Sequence, residues 1–264
     1  MARRARLDAE LVRRGLARSR EHAAELVAGG LVRVAGTVAT KAATGVESTT
    51  PLLVDEQPGE TYASRGGHKL VGALEAFGYD PAGKRALDAG ASTGGFTDVL
   101  LRRGAQHVVA VDVGYGQLVW ALQSDPRVTV VDRTNVRSLT LEQVGEPVDL
   151  VVADLSFIPL GLVLPALLSC CRPGADLLPM VKPQFEVGKE RLPAGGVVRD
   201  PVLRADAVRG VARQAATLGL GVRGVTASPL PGPSGNVEFF LWLQAGAPPL
   251  EEADLERAVA EGPV

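Results

Sequence analysis

Leu87-Asp88-Ala89-Gly90-Ala91-Ser92-Thr93-Gly94-Gly95-Phe96 is the stretch that decides the fold. An apolar run entered through Lys84-Arg85-Ala86 gives way to glycines, and a helical pattern resumes near Phe96. A strand ending at Leu87, a turn whose glycines tolerate positive φ and admit a ligand to the backbone, and a following helix make a nucleotide pocket. The spacing is neither G-x-G-x-x-G nor a P-loop ending in Gly-Lys-Ser/Thr, so a pyrophosphate or triphosphate cradle is not the best match. The acidic first position of D-x-G-x-x-x-G-G-F points instead to S-adenosylmethionine, whose cationic sulfonium and amino group suit a carboxylate. The expected cofactor contacts are Asp88, Gly90, Ala91, Ser92, Thr93, Gly94, Gly95 and Phe96, with an ordinary tight turn as the competing reading. Eighteen residues past Gly94, Val108-Val109-Ala110-Val111-Asp112 reads as a second strand ending in an acid. A Rossmann-like sheet holds ribose hydroxyls at that position, which adds Asp112.

With 264 residues, 46% apolar and 22% charged, the chain can bury one substantial core and carry a small appended module, and it is not disordered. Cys170 and Cys171 are sequence neighbours that cannot staple a fold, which reads as a reduced, intracellular setting and a cytoplasmic protein. Neither they nor His22, His68 and His107 show metal-ligand spacing, so no metal is expected. Met1-Ala2-Arg3-Arg4-Ala5-Arg6 is basic with no apolar core behind it, against a secretory signal. Leu155 to Cys171 lacks charge for seventeen residues, at the lower limit for a membrane span. Pro159, Pro165 and flanking Asp154 favour a buried helix there, and no membrane partner is expected. The net charge of −2 is unevenly spread: residues 1–50 hold nine Lys/Arg against five Asp/Glu, which leaves the remainder at −6. A basic head on an acidic body suits a module that anchors RNA, with ordinary solvated surface as the alternative.

Arg6 to Gly15 reads as a short amphipathic helix closed by glycine, and Ser19 caps a second helix, Arg20 to Ala28, ended by Gly29-Gly30. Leu31-Val32-Arg33-Val34 and Ala35-Gly36-Thr37-Val38 follow as a short ribbon. This α-α-β order, with Arg-Leu-Asp, Gly-Leu-Ala-Arg-Ser-Arg, Gly-Gly-Leu-Val-Arg-Val-Ala-Gly and Lys41, resembles the S4 RNA-binding domain. The resemblance implies that Arg6, Arg18, Arg20 and Lys41 grip RNA phosphates. Strand candidates Lys84–Leu87, His107–Val111, Val128–Val131, Val148–Ala153, Asp176–Val181, Gly221–Ala227 and Glu238–Leu243 alternate with helical stretches. That alternation predicts an α/β fold, a largely parallel Rossmann-like sheet with helices on both faces. The expected domains are 1–58 for the S4-like α+β module, 59–64 for a linker, 65–246 for the enzyme body and 247–264 for a tail, at most a loosely docked acidic helix.

Reacting groups in such a fold gather at the carboxyl ends of strands. Four polar residues stand against apolar runs there: Lys69 opening a helix Leu70–Phe77, Asp154 after Val148–Ala153, Lys182 after Leu177–Val181, and Glu238 before Phe239–Trp242. They resemble the Lys-Asp-Lys-Glu tetrad of FtsJ-like ribose 2'-O-methyltransferases, here joined to an S4 domain as in the TlyA group. The likeness extends to Asp154-Leu155-Ser156-Phe157, Val181-Lys182-Pro183-Gln184-Phe185-Glu186, Gly195-Gly196-Val197-Val198-Arg199-Asp200 and Ser234-Gly235-Asn236-Val237-Glu238. It implies 2'-O-methylation of cytidines in 16S and 23S ribosomal RNA with S-adenosylmethionine, on ribosomal subunits and with no obligate protein partner. An older label for the group, hemolysin, finds no support in the composition. The stretch Thr61-Tyr62-Ala63 departs from the tryptophan-containing linker associated with some relatives.

In the expected reaction the ribose 2'-oxygen attacks the sulfonium methyl group, so the enzyme must align the atoms and remove a proton. Lys182 is assigned proton removal, with electrostatic stabilisation of the forming alkoxide as the open alternative. Asp154 orients Lys182 and the methyl donor, Lys69 positions the nucleotide, and Glu238 fixes the lysines. Asp132, after Val128-Thr129-Val130-Val131, is expected to accept from the adenine amino group. Arg65, Arg133 and Arg137 continue the positive track, and Phe157 is placed to stack on a flipped-out base, whereas core packing better suits Phe185. Rival readings are a catalytically idle RNA-binding or assembly factor, a membrane-damaging protein, and a nicotinamide enzyme using Asp112.

Overall fold

The computed structural model describes residues 5–17, 20–47, 49–54 and 62–263. The chain divides between Thr61 and Tyr62 into two units. In the first, β1 (Ala5–Arg6) and α1 (Leu7–Arg13) are followed by α2 (Arg20–Ala28), β2 (Val32–Val34), β3 (Thr37–Val38), β4 (Gly45–Val46) and β5 (Leu52–Val54). Strand β2 pairs antiparallel with β3 and β5, and β1 with β4. Leu7 and Leu11 of α1 meet Ala23 and Val27 of α2 and Val32 of β2 in one small core, because apolar residues three and four apart share a helix face. Both helices and the ribbon form, but the first helix is shorter than expected, because Arg6 belongs to β1 and α1 ends at Arg13. The expected cap Ser19, the RNA contact Arg18 and linker residues 59–61 lie outside the described residues.

The second unit runs α3 (Gly66–Phe77), β6 (Arg85–Ala89), α4 (Gly95–Arg102), β7 (His107–Val111), α5 (Trp120–Gln123), β8 (Val128–Val131), α6 (Leu141–Val144), β9 (Val148–Ala153), α7 (Leu164–Ser169), β10 (Cys171–Val181), α8 (Pro183–Glu186), α9 (Pro201–Thr217), β11 (Leu220–Ala227), β12 (Phe239–Ala245) and α10 (Glu252–Ala260). Its seven strands are ordered β11-β12-β10-β9-β6-β7-β8. Strands β8, β7, β6, β9 and β10 are parallel, and β12 runs antiparallel to both β10 and β11. The order reverses between β6 and β9, so the loops leaving those two strands part and open a crevice at their carboxyl ends.

Strand side chains alternate between two cores. Leu87, Val109, Val151, Val181 and Phe239 face α7, α9 and α10, while Ala86, Val108, Val152, Met180 and Phe240 face α3, α4 and α5. Helices therefore cover both faces, as the alternation predicts. Asp200 caps α9 by accepting from the Val202 amide at 2.8 Å, with Pro201 in the first turn.

Three expectations change. The uncharged run Leu155–Cys171 is not one helix: Pro159 and Pro165 break it into a 3-10 turn at Leu160–Leu162 and the six-residue α7. Helix α3 begins at Gly66, so Lys69 sits inside its first turn instead of opening it. The tail is firmly docked: Leu255 and Ala258 of α10 are buried in the core beneath α9 and β11, and Glu252 pairs with Arg209 at 2.9 Å.

Candidate active site

Four carboxyl-end positions converge on one face. Val181 pairs with Phe239 across the antiparallel β10–β12 ladder, which sets Lys182 beside Glu238. Asp154 follows β9, the other neighbour of β10, and its amide donates to Ala89 O of β6 at 3.0 Å. Counting by twos from Val152, Met180 and Phe240 puts Asp154, Lys182 and Glu238 on the α3 side of the sheet, where Lys69 descends. The side chains meet in two ion pairs: Lys182 Nζ to Asp154 Oδ1 at 2.6 Å and Lys69 Nζ to Glu238 Oε2 at 2.5 Å. Lys182 also donates to Ser156 Oγ at 3.0 Å. Glu238 is fully buried, Lys69 and Lys182 nearly so, and Asp154 is half-buried at the crevice. Glu238 Oε1 has no hydrogen-bond partner among the described residues and lies against Gly232, where a Cβ would come within 2.6 Å of it.

The turn after β6 differs in detail from its sequence reading. Gly90 (φ +86°) and Gly94 (φ +99°) take conformations that favour glycine, but protein occupies the space their side chains would need. A Cβ on Gly90 would sit 2.5 Å from Asp154 O, and one on Gly94 would enter Leu122 and Leu118. Gly95 is a packing glycine at the α3–α4 approach, facing Ser64 and the Gly67 amide. Phe96 is buried, its ring 6.0 Å from that of Phe240, so its side chain packs in the core. Ala91 is buried, Thr93 half-buried and Ser92 exposed with φ +48°.

Asp88 is sealed from solvent. Thr97 Oγ1 donates to its Oδ2 at 2.7 Å, while Oδ1 has no partner among the described residues. Burial pushes this carboxyl up to about 7 against the opposing Thr97 hydrogen bond, and the like charges of Asp154 and Asp112 push weakly the same way as burial. Asp112 accepts from Ser92 N at 2.8 Å and Gly114 N at 2.7 Å, and Asp132 from Gly116 N at 2.9 Å. A carboxylate has about four lone-pair positions, so these amide contacts do not use up the acceptor capacity of either group.

The expected RNA contacts fall in both units. Arg6 and Arg20 are exposed, yet each is tethered to buried Asp8, at 2.9 and 3.0 Å, and Asp8 is held well below the ordinary carboxylate range, chiefly by the Arg6 hydrogen bond. Lys41, Arg65 and Arg137 are exposed. Arg133, at φ +52°, lies over the exposed Tyr115 ring at 4.1 Å. Phe157 is 90% exposed at φ +64°, and its ring is 5.2 Å from that of Phe185. Phe185 is itself only half-buried, not a core residue.

Sequence reasoning gave no role to several residues here. Ser156 and Glu186 sat unread inside quoted motifs. Asn236 ties Gly235–Glu238 to Gly196–Val198, accepting from Val198 N at 2.8 Å and donating to Gly196 O at 2.9 Å. Val113, directly after Asp112, is exposed.

A switch-point turn over half-buried carboxylates, with lysine–carboxylate pairs on the next strand ends, is the constellation of a Rossmann-like methyltransferase. Residues 62–245 match the FtsJ-like methyltransferases and residues 5–50 the S4 domain. The chain is 62% identical over 269 aligned residues, covering 100% of both chains, to the 16S/23S rRNA (cytidine-2'-O)-methyltransferase TlyA of Mycobacterium tuberculosis. Hemolysin A of Brachyspira hyodysenteriae is 34% identical over 236 residues, 89% of this chain and 98% of that one. A Streptococcus thermophilus structure with a provisional hemolysin label superimposes with a TM-score of 0.79 at 35% identity, covering 99% and 96% of the two chains. The chain belongs to the FtsJ-like methyltransferase family, in its S4-bearing TlyA branch. Among the described residues no helix is long and apolar enough to cross a membrane, and no group of His, Cys, Asp and Glu could hold a metal.

Proposed function

We propose that this methyltransferase transfers a methyl group from S-adenosylmethionine to the ribose 2'-oxygen of cytidine in ribosomal RNA, 16S, 23S or both. The observation that carries the reading is the pairing of Lys182 with Asp154 and of Lys69 with Glu238 on one face of the switch point. Full-length identity to a ribosomal RNA cytidine methyltransferase supports the substrate. Ribosomal subunits are then its partners and the cytoplasm its location.

The donor set suits the cofactor. Asp112, Asp132 and Asp154 are acceptors, and Asp88 adds a buried unpaired oxygen, matching a ligand whose polar edge is hydroxyls, an amine and a cationic centre. S-adenosylmethionine supplies, when bound, an electrophilic methyl group on a positive sulfur. Asp112 would take the ribose hydroxyls, Asp132 the adenine amine, Val113 an adenine face, and the Gly90–Gly94 turn the methionine end.

Lys182 Nζ has two of its tetrahedral positions directed at Asp154 and Ser156. The remaining position carries either an N–H or a lone pair toward the ribose oxygen, and we assign it acceptance of the 2'-hydroxyl proton. Asp154 and Ser156 set that direction, while Glu238 holds Lys69 beside the nucleotide. Phe157 offers a face to a base turned out of its helix, and Arg65, Arg133 and Arg137 with the S4-unit arginines and Lys41 contact phosphates.

Mapping ribose methylation in ribosomal RNA from cells with and without the protein tests the function. A cytidine methyl group that disappears with the protein is expected, and identical maps would refute it. Lys182→Ala is expected to lose methyl transfer on the order of 10²-fold or more while folding normally. Lys182→Arg keeps the charge but cannot accept a proton, so activity surviving in it would leave Lys182 only a charge-stabilising role.

A further inference from the structure

Two short segments carry the two halves of the Lys182–Asp154 pair, and the structure joins them again at their far ends. One is the single helical turn α8, whose cap is Lys182 and whose last residue is Glu186; Phe185 N donates to Lys182 O at 2.9 Å and Val187 N to Pro183 O at 3.0 Å. The other is 154–160, carrying Asp154, Ser156 and Phe157. Glu186 Oε1 accepts from the Leu160 amide at 2.8 Å, and the Phe157 and Phe185 rings meet between the two ends.

Neither segment is self-supporting. A four-residue helix has too few internal hydrogen bonds to hold its own shape. Segment 154–160 contains an aromatic residue at φ +64°, a conformation that must be imposed by surrounding contacts. Leu160 is 2% exposed, so its amide depends on Glu186. Glu186 also lines a recess of about 510 Å³, together with Pro159, Gly161, Pro165, Gln214 and Leu218.

We propose that Glu186 is a positioning residue for methyl transfer: by accepting the Leu160 amide it locks segment 154–160 to the turn bearing Lys182, and so keeps Asp154 and Ser156 aligned with the Lys182 nitrogen. This rests on the methyl-transfer reading above. The effect belongs to alignment, so it falls on the chemical step and not on binding, and the carboxyl acts as an acceptor that a neutral amide oxygen can replace.

The test compares Glu186→Ala, Glu186→Gln and Glu186→Asp in the full chain, using steady-state kinetics with S-adenosylmethionine and RNA and hydrogen exchange of segment 154–160. In Glu186→Ala, kcat falls on the order of 10- to 100-fold, the scale of a small misplacement of reacting groups. KM for both substrates stays within about twofold, and exchange in 154–160 accelerates. Glu186→Gln restores kcat to within about threefold of the parent and restores slow exchange. Parent kcat in Glu186→Ala, or a glutamine variant as poor as the alanine one, would overturn the proposal. Should the alanine variant not fold, folded Glu186→Asp, one methylene short of Leu160, decides: reduced kcat supports the proposal and parent kcat defeats it. A parent protein that methylates no RNA would sink the functional reading alone, and unchanged exchange in 154–160 would still refute the hold assigned to Glu186.

Discussion

Replacing Lys69 by methionine separates stability from chemistry in a way that the geometry makes quantitative. Lys69 Nζ is the one donor to the Glu238 carboxylate among the described residues, at 2.5 Å, and the two residues are 8% and 0% exposed. Removing the lysine strands a buried carboxylate, and breaking a buried pair from one side costs about 3–5 kcal/mol. For a unit of this size each kcal/mol moves the midpoint by ~2–4 °C, so Tm falls by roughly 6–20 °C. Glu238→Gln keeps an acceptor for Lys69 and costs less, ~1–3 kcal/mol. The double variant Lys69→Met/Glu238→Leu replaces the pair with apolar groups of similar volume and recovers most of the loss, because two uncompensated desolvation penalties vanish together. It nonetheless loses methyl transfer. Thermal unfolding of the full chain, followed through the larger transition, and incorporation of labelled methyl groups into RNA give the two readouts. A Lys69→Met variant within about 1 kcal/mol of the parent, or a double variant no more stable than Lys69→Met, would refute the reasoning.

Asp88 gives a pH signature. Its folded value, near 7, lies above the ordinary carboxylate value, so the folded chain binds more protons between about pH 4 and pH 7 and Asp88 draws stability down as pH rises through that window. Asp88→Asn removes the slope, and its stability relative to the parent should rise across the window by up to about 4 kcal/mol; a pH-independent difference in denaturant unfolding would contradict this. Gly94→Ala meets both a positive φ and the Leu118 and Leu122 side chains, and is expected to weaken S-adenosylmethionine binding in calorimetry and to lower Tm. Unchanged affinity would show that the turn does not shape the pocket. Arg20→Ala should reduce the salt slope of RNA binding by about 1 without changing sequence preference, and an unaltered slope would remove Arg20 from the phosphate contacts.

The strands of the larger unit were legible because period-two apolar runs are a local signal: His107–Val111, Val128–Val131 and Val148–Ala153 have the observed bounds. Features that depend on distant partners were misread. The run Leu155–Cys171 passed for one helix because composition registers apolarity but not how Pro159 and Pro165 divide it. The acidic tail passed for a loose appendage because only the docked fold reveals the apolar ground that Leu255 fills. Gly90, Gly94 and Gly95 read as letting a ligand approach the backbone, and what the sequence did not show is that the space a side chain would need there is taken by Asp154, Leu122 and Ser64. A glycine reports the need for space and does not say who occupies it.

By itself the sequence determined the strand–turn–helix at Leu87–Phe96, the α-α-β order of the first fifty residues, and the chemical types at four strand and helix ends. Each follows from short-range periodicity, glycine conformation or residue type. Only the tertiary structure decided that Lys69 joins Glu238 across 169 positions, that Lys182 joins Asp154 and Ser156, and that Glu186 reaches back to Leu160. Those choices follow from the reversal of strand order at β6 and β9 and the antiparallel return of β12 beside β10. Such contacts are set by sheet register between segments far apart in the chain, and no local pattern encodes that register.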